Sequence, residues 1–180
     1  MPLVAKADAV APADLAHGVL PARDGWAASG SGTTGGSAAD AAHVFTVSTR
    51  AELVRALAAG PAGAPRIVRV KGLIDADTDD SGKPQSCADH AAGTGYSLDS
   101  YLKAYDPAVW GRAKVPAGAQ EDARRVFTVP ARTTLIGVPG TGAGITGGSL
   151  VVTNADNVII RNLSLTDVRD CFPQWDPTDG

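Results

Sequence analysis

No apolar run in these 180 residues approaches the roughly 20 that a membrane-spanning helix needs. The most strongly apolar run, Val158-Ile159-Ile160, is closed at once by Arg161, so the chain is not expected to span a membrane. Basic residues are not in surplus either. The 16 Lys and Arg are scattered among 19 Asp and Glu, leaving a net charge of -3 and no basic stripe, and a nucleic-acid partner is therefore disfavoured. The start, Met1 to Lys6, lacks the basic leader and apolar segment of a signal peptide. Cysteine is scarce. Cys87 and Cys171 stand 84 positions apart and only His90 lies close to either, too few ligands for a zinc site, which argues against a metal site built on them. Their spacing leaves two options open: a disulfide closing a long loop in an oxidising compartment, or two buried thiols. The three histidines, His17, His43 and His90, sit in unrelated contexts, and no G-x-S-x-G occurs, so a Ser or Cys nucleophile with a His base has no support.

What is present changes character along the chain. Residues 1–42 are rich in Ala, Gly, Ser and Thr, with glycines clustered after Trp26, and show neither helical nor strand period. They read as an extended arm. His43–Val47 is a short β-rich run, and Thr49-Arg50-Ala51-Glu52 has the form of a capping box before Leu53, Val54, Ala56 and Leu57 at helical spacing. One short amphipathic helix is expected there, ended by Gly60-Pro61. Arg66–Ile74 is a second strand candidate. Residues 75–125 are polar and punctuated by Gly and Pro, a long inserted loop in which Tyr96–Tyr105 has helical spacing.

From residue 126 short β runs follow one another almost without helical pattern: Val126–Val129, Thr133–Val138, Ser149–Thr153 and Asn157–Leu165. Aligning Thr133–Val138 with Asn157–Asn162 gives a period of 24 residues. One short strand per circuit, returning every ~20–50 residues, is how a solenoid stacks units that cannot bury their apolar faces alone. An antiparallel sandwich would favour tight Asn-Gly or Asp-Gly hairpins, and the links here lack them.

Several motifs fail on context. Gly142-Ala-Gly144-Ile-Thr-Gly147 fits G-x-G-x-x-G, but a dinucleotide fingerprint must open a helix, whereas β-branched residues follow here. It reads as a glycine-rich turn. Asp75-Ala-Asp77-Thr-Asp79 begins like an EF-hand loop, yet Asp80 stands where Gly is required and Ser86 where Glu is, which leaves a looser calcium site or, as the favoured reading, a solvated acidic turn. Asn162-Leu-Ser164 has the form of a glycosylation sequon inside an expected strand, so an inward or stacked Asn is the better reading. The densest unusual segment is Asp170–Gly180, with Asp170, Asp176 and Asp179, Phe172 and Trp175, and two prolines. Acids this close on a stiff turn can hold a hard cation, and an exposed Trp can stack on a sugar face. The plainer alternative is a rigid exit turn with Trp175 as packing.

Asp24-Gly25-Trp26-Ala27, Gly32–Gly36, Val44–Leu53, Val68–Asp75, Leu102–Gly111, Thr134–Val138, Asn157–Leu163 and, most specifically, Cys171-Phe-Pro-Gln-Trp-Asp-Pro-Thr-Asp179 together resemble the pectate lyases of polysaccharide lyase family 1. The resemblance implies an all-β fold, a right-handed parallel β-helix with an N-terminal capping helix and a long side loop, here as an incomplete solenoid over residues 43–180. It also implies a secreted enzyme, monomeric when complete, that acts on polygalacturonate by calcium-dependent β-elimination, in which Ca²⁺ acidifies the proton to be abstracted and an Arg removes it. In that family the principal calcium acids and the catalytic Arg lie after the Phe-Pro-Gln-Trp segment, so neither Arg161 nor Arg169 is promoted to catalyst. Asp179, with Asp176 beside it, is the expected metal residue, Trp175 the expected substrate contact, and the pair Cys87 and Cys171 is implied to tie the side loop to this segment. The rival readings are a non-catalytic pectate-binding or structural β-helix and a hydrolase needing paired carboxylates. An uncapped last rung leads to the expectation that residues 1–180 alone are inactive and poorly soluble.

Overall fold

The structure is a computed structural model that describes residues 12–104 and 116–173. Its nine strands are short and all of their pairings are parallel: β1 (Val44–Val47), β2 (Arg66–Val70), β3 (Leu73–Asp75), β4 (Val126–Thr128), β5 (Thr133–Gly137), β6 (Gly144–Thr146), β7 (Ser149–Val151), β8 (Ile159–Arg161) and β9 (Ser164–Thr166). They form three sheets in the orders β1-β2-β5-β8, β3-β6-β9 and β4-β7. Following the chain from β4, successive strands visit the β4 sheet, the β1 sheet and the β3 sheet, and β7, β8 and β9 then repeat the circuit in the same order.

Register shows why the stack holds. Leu135 lies between Val68 and Ile160, and Ile145 between Ile74 and Leu165. Side chains alternate across a strand, so each of these columns keeps to the inside. Val68, Leu135, Ile74 and Ile145 join Val47, Val70 and Phe127 in one core. At about 25 cal/mol per Å² of apolar area removed from water, such columns are the main stabilising contribution.

The period differs in detail from the sequence expectation. Thr134 pairs with Ile159, so the repeat in this sheet is 25 residues instead of 24, and every pair shifts by one. A one-residue slip reverses which side chains face inward, and here Ile160, not Ile159, shares the inner column with Leu135. Two runs read as single strands are each two strands in different sheets. Gly72 (φ 79°) breaks Arg66–Ile74, and Asn162 (φ 54°) breaks Asn157–Leu165. Both residue types tolerate the left-handed region, so one residue turns the chain from one sheet to the next. Asn162 is therefore a corner, not a strand residue.

At the β1 end, α2 (Arg50–Ala58) lays Leu53, Ala56 and Leu57 on the core. Its expected capping box is present: Thr49 Oγ1 accepts from Glu52 N at 3.2 Å, and Glu52 Oε2 accepts from Thr49 N at 3.2 Å and Ser48 N at 2.8 Å. Hydrogen bonds from these amides hold the Glu52 carboxyl below its ordinary pKa.

The arm is not extended throughout. α1 (Pro12–His17) sets Ala16 against Ile67 and Ile136 on the outer face of the first sheet. Further along, Gly36 N donates to Thr134 Oγ1 at 2.9 Å, and a Cβ on Gly36 would stand 1.8 Å from the Arg66 carbonyl oxygen. Only glycine fits there.

In its described residues the expected loop at 75–125 carries three helices: α3 (Cys87–Ala91), α4 (Leu98–Ala104) and α5 (Pro116–Arg125). α4 covers the span where helical spacing was read. α5 has few large apolar side chains to mark it in the sequence, being built of Ala, Gly and charged residues, and it is held by buried ionic contacts.

Candidate functional site

Beyond the last residues of β3, β6 and β9, a cleft of about 460 Å³ is lined by Asp75, Asp77, Thr146, Asp167 and Arg169, among others. Through Asp77 and Gly147 the cleft adjoins a buried cluster of charge. Arg125 Nε donates to the Gly147 carbonyl at 2.7 Å and lies 3.1 Å from Asp77 Oδ1. Arg125 Nη1 pairs with Glu121 one helical turn earlier. The Glu121 carboxylate accepts in turn from the Cys171 backbone N–H, at 2.9 and 3.1 Å. Arg169 Nη1 lies 3.9 Å from Asp77 Oδ2 on the exposed side.

Arg125 and Glu121 are each only a few per cent exposed, so their charges are tolerated because each meets its opposite and further hydrogen bonds. Burial lowers the Arg125 pKa and Asp77 opposes that shift. His90 on α3 is buried as well, with Nε2 3.8 Å from Asp77 Oδ1, too far for a hydrogen bond. Burial dominates there too, and the imidazole pKa falls below its ordinary value despite the nearby carboxylate. The acidic turn expected to be solvated is thus half interior. Asp77 is locked into ion pairs, while Asp79 stays outside and accepts from Ser81 N and Lys83 N.

A side layer secures the same corner. Cys87, the first residue of α3, forms a disulfide with Cys171, whose Cα lies 5.5 Å away. Phe172 packs with Ala117 beneath it, meets the Tyr96 ring edge-on at 5.0 Å, and is followed by Pro173, whose carbonyl accepts from Tyr101 Oη at 2.9 Å. Three helices, a disulfide and an aromatic cluster therefore hold the chain as it leaves β9.

Trp175, Asp176 and Asp179 lie outside the described residues. Arg161, on β8, does not line the cleft and pairs in register with Ile136. Among the described residues, no group of three or more His, Cys, Asp and Glu could hold a metal ion. Asp77, the best-placed acid, is engaged by Arg125, so the described cleft does not by itself fit a calcium ion. Asp77, His90, Glu121 and Arg125 were missed as a set. The i, i+4 spacing of Glu121 and Arg125 was the one available signal.

A family model described as pectate lyase matches residues 108–180. A curated pectate lyase from Bacillus subtilis is 48% identical over 178 residues, covering 93% of this chain and 41% of its own length. A solved Bacillus subtilis pectate lyase variant superposes with a TM-score of 0.75 at 44% identity, and a solved pectate lyase bound to a hexasaccharide with 0.76 at 44% identity. Each of these structures matches 93% of this chain and 43% of its own. The chain thus spans about two-fifths of the length of the relatives it matches.

Proposed function

We infer that this chain, a homologue of the pectate lyases along nearly its whole length, supplies the arm, the cap and the first circuits of a right-handed parallel β-helix in an enzyme that cleaves polygalacturonate by β-elimination. The observation that carries the reading is 48% identity to a pectate lyase over 93% of the chain. The repeated circuit of β4-β5-β6 and β7-β8-β9 supports the β-helix. A relative of the same fold bound to a hexasaccharide supports an oligosaccharide substrate.

Calcium, in this proposal, neutralises the uronate carboxylate and so makes the neighbouring C–H more acidic. Asp176 and Asp179 are its proposed contributors from this chain, and Trp175 the proposed sugar contact. What the described residues do is position. The disulfide and the Glu121 carboxylate clamp Cys171, and the Phe172 ring cluster fixes the direction in which the chain continues. A disulfide also supports a secreted protein, since such bonds persist in oxidising compartments.

The test is to incubate the full translation product with polygalacturonate and follow the ultraviolet absorbance of an unsaturated uronate end. Absorbance should rise with calcium and stop on chelation. New reducing ends without that absorbance would identify a hydrolase and overturn the proposal, as would binding without any cleavage.

A further inference from the structure

Trp26 is 95% exposed, an unusual position for the largest apolar side chain. It does not sit on a frayed end. Residues 26–28 form a 3-10 turn, closed by Ala28 N to the Gly25 carbonyl at 3.2 Å, Gly32 N to Ser29 at 3.0 Å and Thr33 N to Ala27 at 2.6 Å. An ordered loop thus holds an indole away from the surface, and Val19 and Leu20 in the same excursion are almost half exposed.

The arm's contacts show where this loop lies. Ala39 packs in the cluster of Ile67 and Ile136. Gly36 meets the Arg66 carbonyl on β2 and donates to Thr134 on β5. Thr34 N and Gly35 N both donate to Asn157 Oδ1, at 2.6 and 2.8 Å, just before β8. Read from 39 back to 34, the arm climbs the outer face of the first sheet one strand at a time, from β2 to β5 to β8. Ala27 O accepts from Thr33 N, the residue next to Thr34, so the loop that carries Trp26 is tied to the arm at the β8 edge.

Among the described residues nothing pairs with that edge of β8, and the inner column ends there with Ile160 39% exposed. The matched relative is more than twice as long as the stretch it shares with this chain. We propose that the loop of residues 18–33 is a clasp, with Trp26 as its tooth, for the outer face of further parallel strands stacked on β8 in the fuller chain. The interface of arm and sheet already formed over β2, β5 and β8 simply continues. This rests on the homology to longer chains, and not on the lyase activity proposed above.

Hydroxyl-radical labelling with peptide-level mass spectrometry reads the state of Trp26 directly. In the full translation product Trp26 should oxidise about tenfold more slowly than in residues 1–180, as expected for a side chain reached only by local opening. Trp26→Ala should lower the melting temperature of the full product and leave residues 1–180 unchanged, with Trp26→Phe recovering most of the loss. Equal oxidation in the two proteins would overturn the clasp. So would protection that appears only when polygalacturonate is added, which would make Trp26 a sugar platform, or a reading frame that supplies no strand after β8. Lyase activity is scored separately, and its absence leaves the labelling result standing.

Discussion

The two ends of the strand stack are built from the same inner columns and end in opposite ways. At the β1 end, α2 closes the core and Leu53 is fully buried. At the β8–β9 end no described residue closes the columns: Val68 and Leu135 are fully buried but Ile160 is 39% exposed, and Ile74 and Ile145 are buried but Leu165 is 49% exposed. Residue type does not distinguish these positions. Their place in the stack does, because an apolar side chain gains from burial only what its neighbours cover.

The largest expected effect tests that contrast directly. Leu53→Ala removes a side chain from a closed core and should cost about 2–5 kcal/mol, while Leu165→Ala, half in water already, should cost under about 1 kcal/mol. Urea denaturation of both variants measures the difference. Equal losses would mean that the open end is covered in solution.

A smaller effect belongs to the arm. Asn157 Oδ1 accepts from two backbone amides of the arm, and Asn157 Nδ2 donates to Thr34 Oγ1 at 3.0 Å. Asn157→Ala would strand those part-buried donors, at a cost of about 1–3 kcal/mol. Hydrogen exchange should then rise at Thr34 and Gly35 while Leu53 and its helix keep their protection. Loss of protection in α2 as well would show that the arm staples both ends.

How much of this was legible follows from the range of each interaction. The α2 cap was readable because Thr49 and Glu52 act within one turn, and the strands of the last circuits because β-branched runs are local. The corners at Gly72 and Asn162 were blurred, since one left-handed residue interrupts neither hydrophobicity nor β propensity. The charge cluster was invisible for a different reason. Asp77, His90, Glu121 and Arg125 come from three separate segments and meet only after folding, so Asp77 looked like one more solvated acid. The acidic segment at Asp176 and Asp179 was legible as a motif, but its geometry lies outside the described residues.

The smallest effect separates the ends by pH. His90 lies in the cluster beside the open end and its pKa is lowered, chiefly by burial. The folded state therefore binds fewer protons than the unfolded one. The stability this contributes is complete above the imidazole's ordinary value, about 6.5, and drains away as pH falls from there towards the lowered folded value. Glu52, in the cap at the closed end, also has a lowered pKa, and its contribution is lost only as pH falls below the ordinary carboxyl range, about 4.3. Acidification should thus loosen the two ends in sequence. Between about pH 6.5 and pH 5, hydrogen exchange should rise in residues 87–91 and 169–173 while residues 50–58 stay protected, and His90→Gln should abolish that first phase. If residues 50–58 open together with 87–91, the side layer and the cap form one cooperative unit, and the contrast between the two ends stops at solvent exposure.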